Sequence, residues 1–264
     1  MTENNQTDFN SDDARKFQKG LSASKDELFQ LVLDPDTIYL QTLLKNPQIN
    51  EDHLLILLKR RDLSETFINT LYKKQRESSS HRIILALVKN PATSGTLVRN
   101  LLPQLRLFEL LDLCLLPGVT PDQKLAAERA ILHRLPTTPL GNKITLARRG
   151  TTNIVAELMK EGHPQLFEAC LGSSRLREVA IYQFLRGATA SADTISMVAR
   201  HKRWNQRPNL RLAILKNLKT PEIWFTLWLP KIQNHILKQL SAAYRANPKR
   251  KRLIDIELKK RGGF

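Results

Sequence analysis

The sequence predicts an all-α fold, an α-solenoid (superhelix) of irregular helix pairs, on three observations. Apolar residues recur at helical period along most of the 264 residues, strand signals are nearly absent, and the breaks between helices repeat. Leu, Ala, Lys and Arg dominate over Val, Thr and Tyr, which is the propensity of helix rather than sheet.

Taken in order, residues 1–23 mix Asn, Asp, Ser, Gln and Lys with almost no apolar periodicity, and read as a disordered acidic arm. Helical patterning begins at Ser24-Lys25-Asp26-Glu27, a capping box in which the serine hydroxyl accepts from the Glu27 amide and the carboxylate reaches back. Leu28, Leu31 and Val32 then form one face. Further faces follow at Leu54, Leu55, Leu57 and Leu58, at Ile84, Leu87 and Val88, at Leu107, Leu110 and Leu111, and at Ile214, Leu215 and Leu218. Thr120-Pro121-Asp122-Gln123 places a cap, a proline at the first helical position, an acid, and Gln at the capping-box position. Thr220-Pro221-Glu222 repeats the opening of that pattern. Residues 24–247 thus read as a helical repeat domain, and 248–264 as a basic C-terminal helix or tail.

The breaks recur with similar sequence. Leu43-Leu44-Lys45-Asn46-Pro47 returns as Leu87-Val88-Lys89-Asn90-Pro91, and Leu85-Ala86-Leu87-Val88-Lys89-Asn90 matches Leu212-Ala213-Ile214-Leu215-Lys216-Asn217, with Thr93 and Thr220 in register. Weaker copies lie at Leu146–Thr152 and Leu185–Thr189. In this motif a cation offsets the negative end of the helix dipole, Asn or Gly follows where a left-handed residue is expected, and Thr, Ser or Asn caps the next helix. Units of roughly 30 to 45 residues give about six or seven stacked pairs with a concave surface for partners.

The L-x-(K/R)-N-P-x-T break between short Leu-rich helices resembles the bacterial leucine-rich-variant and HEAT-like α-solenoids over about residues 38–230. That resemblance implies a binding protein, since such solenoids mostly hold proteins or nucleic acid. The metal-binding cysteines of some variant-repeat proteins have no matching positions here, so no iron–sulfur cluster is carried over.

Charge points to the class of partner. Of the 42 Lys/Arg, residues 1–50 hold 5 against 8 Asp/Glu, whereas residues 201–264 hold 16 against 3. Such a basic end favours encounter with polyanions. Its candidate contacts are Lys202, Arg203, Arg207 and Arg211 around Trp204, then Lys249, Arg250, Lys251 and Arg252, then Lys259, Lys260 and Arg261. Guanidinium groups neutralise phosphates while an indole stacks on a base. Trp224 and Trp228, four apart in an apolar run, read as core, and Leu253, Ile256 and Leu258 read as the packing side of the last helix. Lys59, Arg60, Arg61, Arg148 and Arg149 are weaker candidates, because each lies at a helix end where the dipole already explains a cation.

The leading expectation is therefore a cytoplasmic, non-catalytic module that engages RNA or DNA phosphates through a basic surface. The alternative is a scaffold holding an acidic or amphipathic protein in its concave groove, marked by an apolar, aromatic-bearing floor. Peripheral contact with anionic lipid ranks last, since residues 249–260 only partly form a basic and apolar helix. Opposite charges at the two ends would let the acidic arm mask the basic end. No stretch reaches the roughly 18 apolar residues of a membrane span, and no secretory signal opens the chain.

No cofactor or metal is expected. The six histidines are dispersed, Cys114 and Cys170 belong to no Cys/His cluster, and the phosphate-loop, dinucleotide and nucleophile-elbow motifs are missing. Cys114, within Leu113-Cys114-Leu115-Leu116, has an apolar setting that keeps a thiol inert. HEAT-like solenoids include DNA glycosylases, but no carboxylate–aromatic motif for that chemistry maps onto this sequence.

Overall fold

The computed structural model describes residues 11–75 and 80–262, which are helical throughout and contain no strand. The chain divides between Ile131 and Leu132 into two compact units. The first holds α1 (Ser11–Ser22), α2 (Lys25–Leu31), α3 (Thr37–Leu43), α4 (Glu51–Lys59), α5 (Glu65–Gln75), α6 (His81–Lys89), α7 (Gly95–Leu101), α8 (Leu107–Leu115) and most of α9 (Pro121–Arg134). The second holds α10 (Leu140–Arg149), α11 (Thr152–Met159), α12 (Pro164–Leu171), α13 (Glu178–Arg186), α14 (Ala192–Arg200), α15 (Pro208–Lys216), α16 (Glu222–Trp228), α17 (Asn234–Ala243) and α18 (Pro248–Lys260).

Within each unit a helix packs on its neighbour or on the next but one. In the first unit α1 and α2 both pack on α3, α4 on α6, and α6 on α7. In the second, α10 packs on α11 and α12, α13 on α15, α15 on α16 and α17, and α18 on α16 and α17. The helices are short, seven to fourteen residues, so packing of their apolar faces rather than intrinsic propensity must hold them. Leu54, Leu57 and Leu58 are buried on α4, as are Ile84, Leu87 and Val88 on α6. Leu218 differs from expectation: α15 ends at Lys216, and Leu218 lies beyond it, 70% exposed.

Most of the stretch read from composition as an arm is ordered. Residues 11–22 form α1, which docks through the Phe17 ring against Tyr39, 5.9 Å between centroids, and through Lys16 Nζ, 2.8 Å from an Asp34 carboxylate oxygen. Phe17 and Leu21 are the only large apolar side chains of α1, and Leu21 is itself 43% exposed, too little to stand out as periodicity. Residues 1–10, and with them part of the proposed masking arm, lie outside the described residues.

Caps start and stop the helices largely as their sequences dictate. Ser24 and Glu27 form the expected capping box, the Ser24 amide donating to the Glu27 carboxylate at 2.8 Å. Thr120 and Gln123 exchange the same bonds, and the Gln123 side-chain amide also donates to the Asn90 carbonyl at 2.7 Å. The threonines of the repeat motif behave differently. Thr93 donates to Leu87 and Thr220 to Ile214, each carbonyl six residues back, so they close the preceding helix rather than open the next. Ser94, one residue on, caps α7.

The motif asparagines also differ from expectation. Asn90 and Asn217 adopt extended backbones, φ −77° and −80°, and positive φ is confined to glycine among the described residues. Their side chains explain their presence. Asn46 Nδ2 donates to the Gly20 and Ala23 carbonyls at 2.8 and 3.0 Å, and Asn90 Nδ2 to those of Leu58 and Arg60 at 2.9 and 2.7 Å. Asn217 Nδ2 donates to Leu185 at 2.6 Å. Each Oδ1 accepts the amide two residues ahead, at Gln48, Ala92 and Lys219. One planar group thus holds its own loop and carbonyls at or just beyond the end of an earlier helix, which have no partner within that helix.

Where the asparagine is missing, another donor serves. Arg175 reaches the Arg149 and Gly150 carbonyls at 2.9 and 3.2 Å. A Cβ at Gly150 would lie 2.4 Å from the Leu146 carbonyl oxygen, so glycine permits this close helix end. Gly118 has φ +82°, and a Cβ there would also run into the Arg61 guanidinium, so backbone and space both call for glycine.

Candidate functional site

Part of the basic end braces one helical segment against an earlier one. Trp204, which the sequence left open between stacking on a base and filling the core, is 2% exposed, and its Nε1 donates to the Leu171 carbonyl at 3.0 Å. No ring face remains for a nucleotide, and its environment is that of core. Arg203 caps the same junction, donating to Ser173 at 3.0 Å and Leu176 at 3.4 Å while its guanidinium sits 4.3 Å from the Trp204 ring centroid. Arg250 donates to Asn217 and Thr220 at 3.2 and 2.8 Å, and Arg261 to Ile232 and Leu229 at 2.5 and 2.7 Å. Arg211 donates to the Asn205 carbonyl and lies 5.7 Å from the Trp228 ring. Trp224 and Trp228 are buried, as their spacing indicated.

These arginines face main-chain carbonyls of the loops between helices and are engaged there. Arg60, among the weaker candidates, does the same for α2, donating to Val32 and Asp34 at 2.9 and 2.7 Å and pairing with Asp62. Its hydrogen bond holds the Asp62 carboxyl below the usual carboxylate range. Arg207 stands 3.9 Å from Glu178. Lys59, Arg61, Arg148, Arg149 and Lys202 are exposed.

What remains at the C-terminus is one stripe of α18. Lys249, Arg252 and Lys260 are exposed, with Ile256 between them at 44% exposure; Lys251 is half-buried and Lys259 exposed. The packing side expected of Leu253, Ile256 and Leu258 is instead Ile254 and Leu258. The helix is rotated because Arg250 and Arg261 must face inward to reach their carbonyls.

Two further surfaces were not anticipated residue by residue. In the first unit a groove of about 590 Å³ runs between α4 and α6, floored by Leu55, Ile56, Leu85, Ala86 and Leu116. The two helices are parallel. Arg82 pairs with Glu51 at 3.1 Å near the N-terminal ends, and Asn90 joins the C-terminal ends. Lys59, Arg61 and Lys89 line the C-terminal end of the groove. In the second unit a groove of about 520 Å³ between α13 and α15 is lined by Val179, Tyr182, Leu212, Ala213 and Lys216.

The two grooves share one register. Arg82, Leu85, Ala86 and Lys89 of α6 correspond to Asn209, Leu212, Ala213 and Lys216 of α15 through the same match that aligns Asn90 with Asn217. A third groove, between α10 and α12, is lined by Arg148, Gln165, Glu168, Ala169 and Gly172, again a helical i, i+3, i+4, i+7 set on the later helix. The signal lay in the repeat itself: Leu85, Ala86, Leu212 and Ala213 sit between its buried positions and stay half-exposed.

Titratable chemistry is sparse. Burial pushes both thiols up to about 12, with Glu128 adding to the effect at Cys114 and Glu161 at Cys170. His53 is buried: Nδ1 accepts the Asn50 amide at 3.1 Å, so Nε2 carries the proton and donates to the Lys25 carbonyl at 3.0 Å. Burial, with Arg203 nearby, lowers the His201 pKa. Among the described residues, no three His, Cys, Asp or Glu side chains are placed to hold a metal, and no helix is long and apolar enough to cross a membrane.

The chain matches no protein-family model, no curated protein and no solved structure.

Proposed function

We propose that the chain is a non-catalytic binding module, an α-solenoid of irregular HEAT-like helix-pair repeats that holds a protein partner against the exposed face of its stacked helices. One observation carries this reading: equivalent positions of α6 and α15 floor an apolar groove in each unit. Phosphate recognition has no use for an apolar floor, whereas a protein segment gains about 25 cal/mol for each Å² of apolar surface it buries there.

The test is capture of partners with and without nuclease, comparing wild type with a Leu85→Glu/Leu212→Glu variant. The expected result is a protein set that survives nuclease and disappears in the variant. Capture that nuclease abolishes and the variant leaves unchanged would reject the reading.

A second reading, nucleic-acid binding, is favoured by the exposed stripe of Lys249, Arg252 and Lys260 on α18. It is tested with labelled RNA and DNA across a salt series. Changing these three residues to glutamine, and leaving the braces Arg250 and Arg261 intact, should lower the log–log salt slope by about two to three.

A further inference from the structure

We infer that the α4–α6 groove takes an amphipathic helical segment of a partner protein, with its apolar side chains on the floor and acidic residues at the end lined by Lys59, Arg61 and Lys89. This rests on the binding-module reading and names its partner by chemistry.

The two ends of the groove differ in charge. At the N-terminal end Arg82 is already engaged, 3.1 Å from Glu51 and 3.6 Å from Asp52. At the other end Lys59, Arg61 and Lys89 form no ion pair among the described residues. Lys59 and Lys89 are the last residues of parallel helices, whose dipoles contribute about −0.5 charge each. About two positive charges therefore stay uncompensated beside an apolar floor. An acidic amphipathic segment satisfies both features, whereas a neutral apolar segment would leave the cations unanswered and partly desolvated.

The second unit repeats the polarity. Glu178 and Arg207 approach within 3.9 Å near the N-terminal end of the α13–α15 groove, and Lys216 ends α15. Arg186, which ends α13, lies over the Tyr182 ring at 4.5 Å. An apolar floor with a cationic C-terminal end is thus a recurring arrangement.

The experiment uses the full chain and labelled helical peptides of about 16 residues, with Leu at i, i+3, i+4 and i+7. One peptide carries Glu at one end, one carries Lys there, and one replaces Leu with Ser; a DNA duplex is the fourth probe. The Glu peptide is expected to bind at least about tenfold tighter than the other two. Lys59→Glu/Lys89→Glu should weaken it about tenfold or more with an unchanged thermal melt. Lys59→Gln/Lys89→Gln serves if the reversal unfolds the protein, with a smaller loss expected. Equal binding of the Lys or Ser peptide overturns the proposal, as does an unchanged affinity in both variants. Duplex binding that the charge reversal abolishes, without peptide binding, overturns it in favour of phosphate. If peptide binding survives those variants but is lost with Leu212→Glu, this groove assignment fails while the binding-module reading stands.

Discussion

Asn90 shows how much one side chain can organise. Its amide group makes two bonds to carbonyls 30 and 32 residues earlier and accepts one from its own loop, all in a residue 2% exposed. Replacing it with alanine strands buried carbonyls, and Asn90→Ala should cost about 2–4 kcal/mol in urea unfolding. Asn90→Asp keeps the shape and the acceptor but loses both donors, so it should be no better tolerated. Trp204→Phe isolates a single bond to the Leu171 carbonyl and should cost about 1–3 kcal/mol. The thiols give a different residue-scale test. With pKa values pushed up to about 12, about one thiol in ten thousand is ionised at pH 8, so neither Cys114 nor Cys170 should react with a disulfide reagent until the protein unfolds. The sequence marked Asn46, Asn90 and Asn217 as equivalent but suggested a backbone role. Their role is a bond to a distant carbonyl, which no local pattern records.

At the scale of the element, α1 is the clearest departure from composition. It closes the first unit by offering the Gly20 carbonyl to Asn46, which also bonds Ala23 just beyond the helix, and Phe17 to Tyr39. Deleting residues 1–22 should lower the urea midpoint, and Asn46→Ala should then cost less than in the full chain, a coupling that a double-mutant cycle measures. The start of α2 sets a pH dependence. The Ser24 amide, then its hydroxyl, holds the Glu27 carboxyl below its ordinary 4.5. A folded value below the unfolded one gives stability that is present above 4.5 and lost as pH falls through the lower folded value. Glu27→Gln should remove that part of the acid limb. The same logic separates what could be foreseen at α18. Its basic character and helical span were readable, but its rotation was not, because Arg250 and Arg261 could be assigned inward only once the Asn217, Thr220, Leu229 and Ile232 carbonyls were seen beside them.

For the whole molecule, stability built from neighbour-to-neighbour junctions should be local. Hydrogen exchange after Asn217→Ala should lose protection in α13, α15 and α16 while α4 and α6 keep theirs, and Asn90→Ala should do the reverse. Loss spread evenly over both units would argue for one cooperative block. The all-helical class, the caps at Ser24 and Thr120 and the repeat register were written in the chain. The grooves were foreseen only as a type of surface, since their floors come from half-exposed residues of two helices about thirty residues apart. Each of the junctions described pairs a side-chain donor with a main-chain carbonyl, and substitution can remove the donor but not the acceptor. The donor differs from junction to junction, with Asn217 and Lys219 acting together at one and Arg175, Trp204 and Tyr244 at others. Sequence change along the earlier helix therefore leaves the acceptors where they are, so such a junction tolerates drift on its carbonyl side more readily than on its donor side.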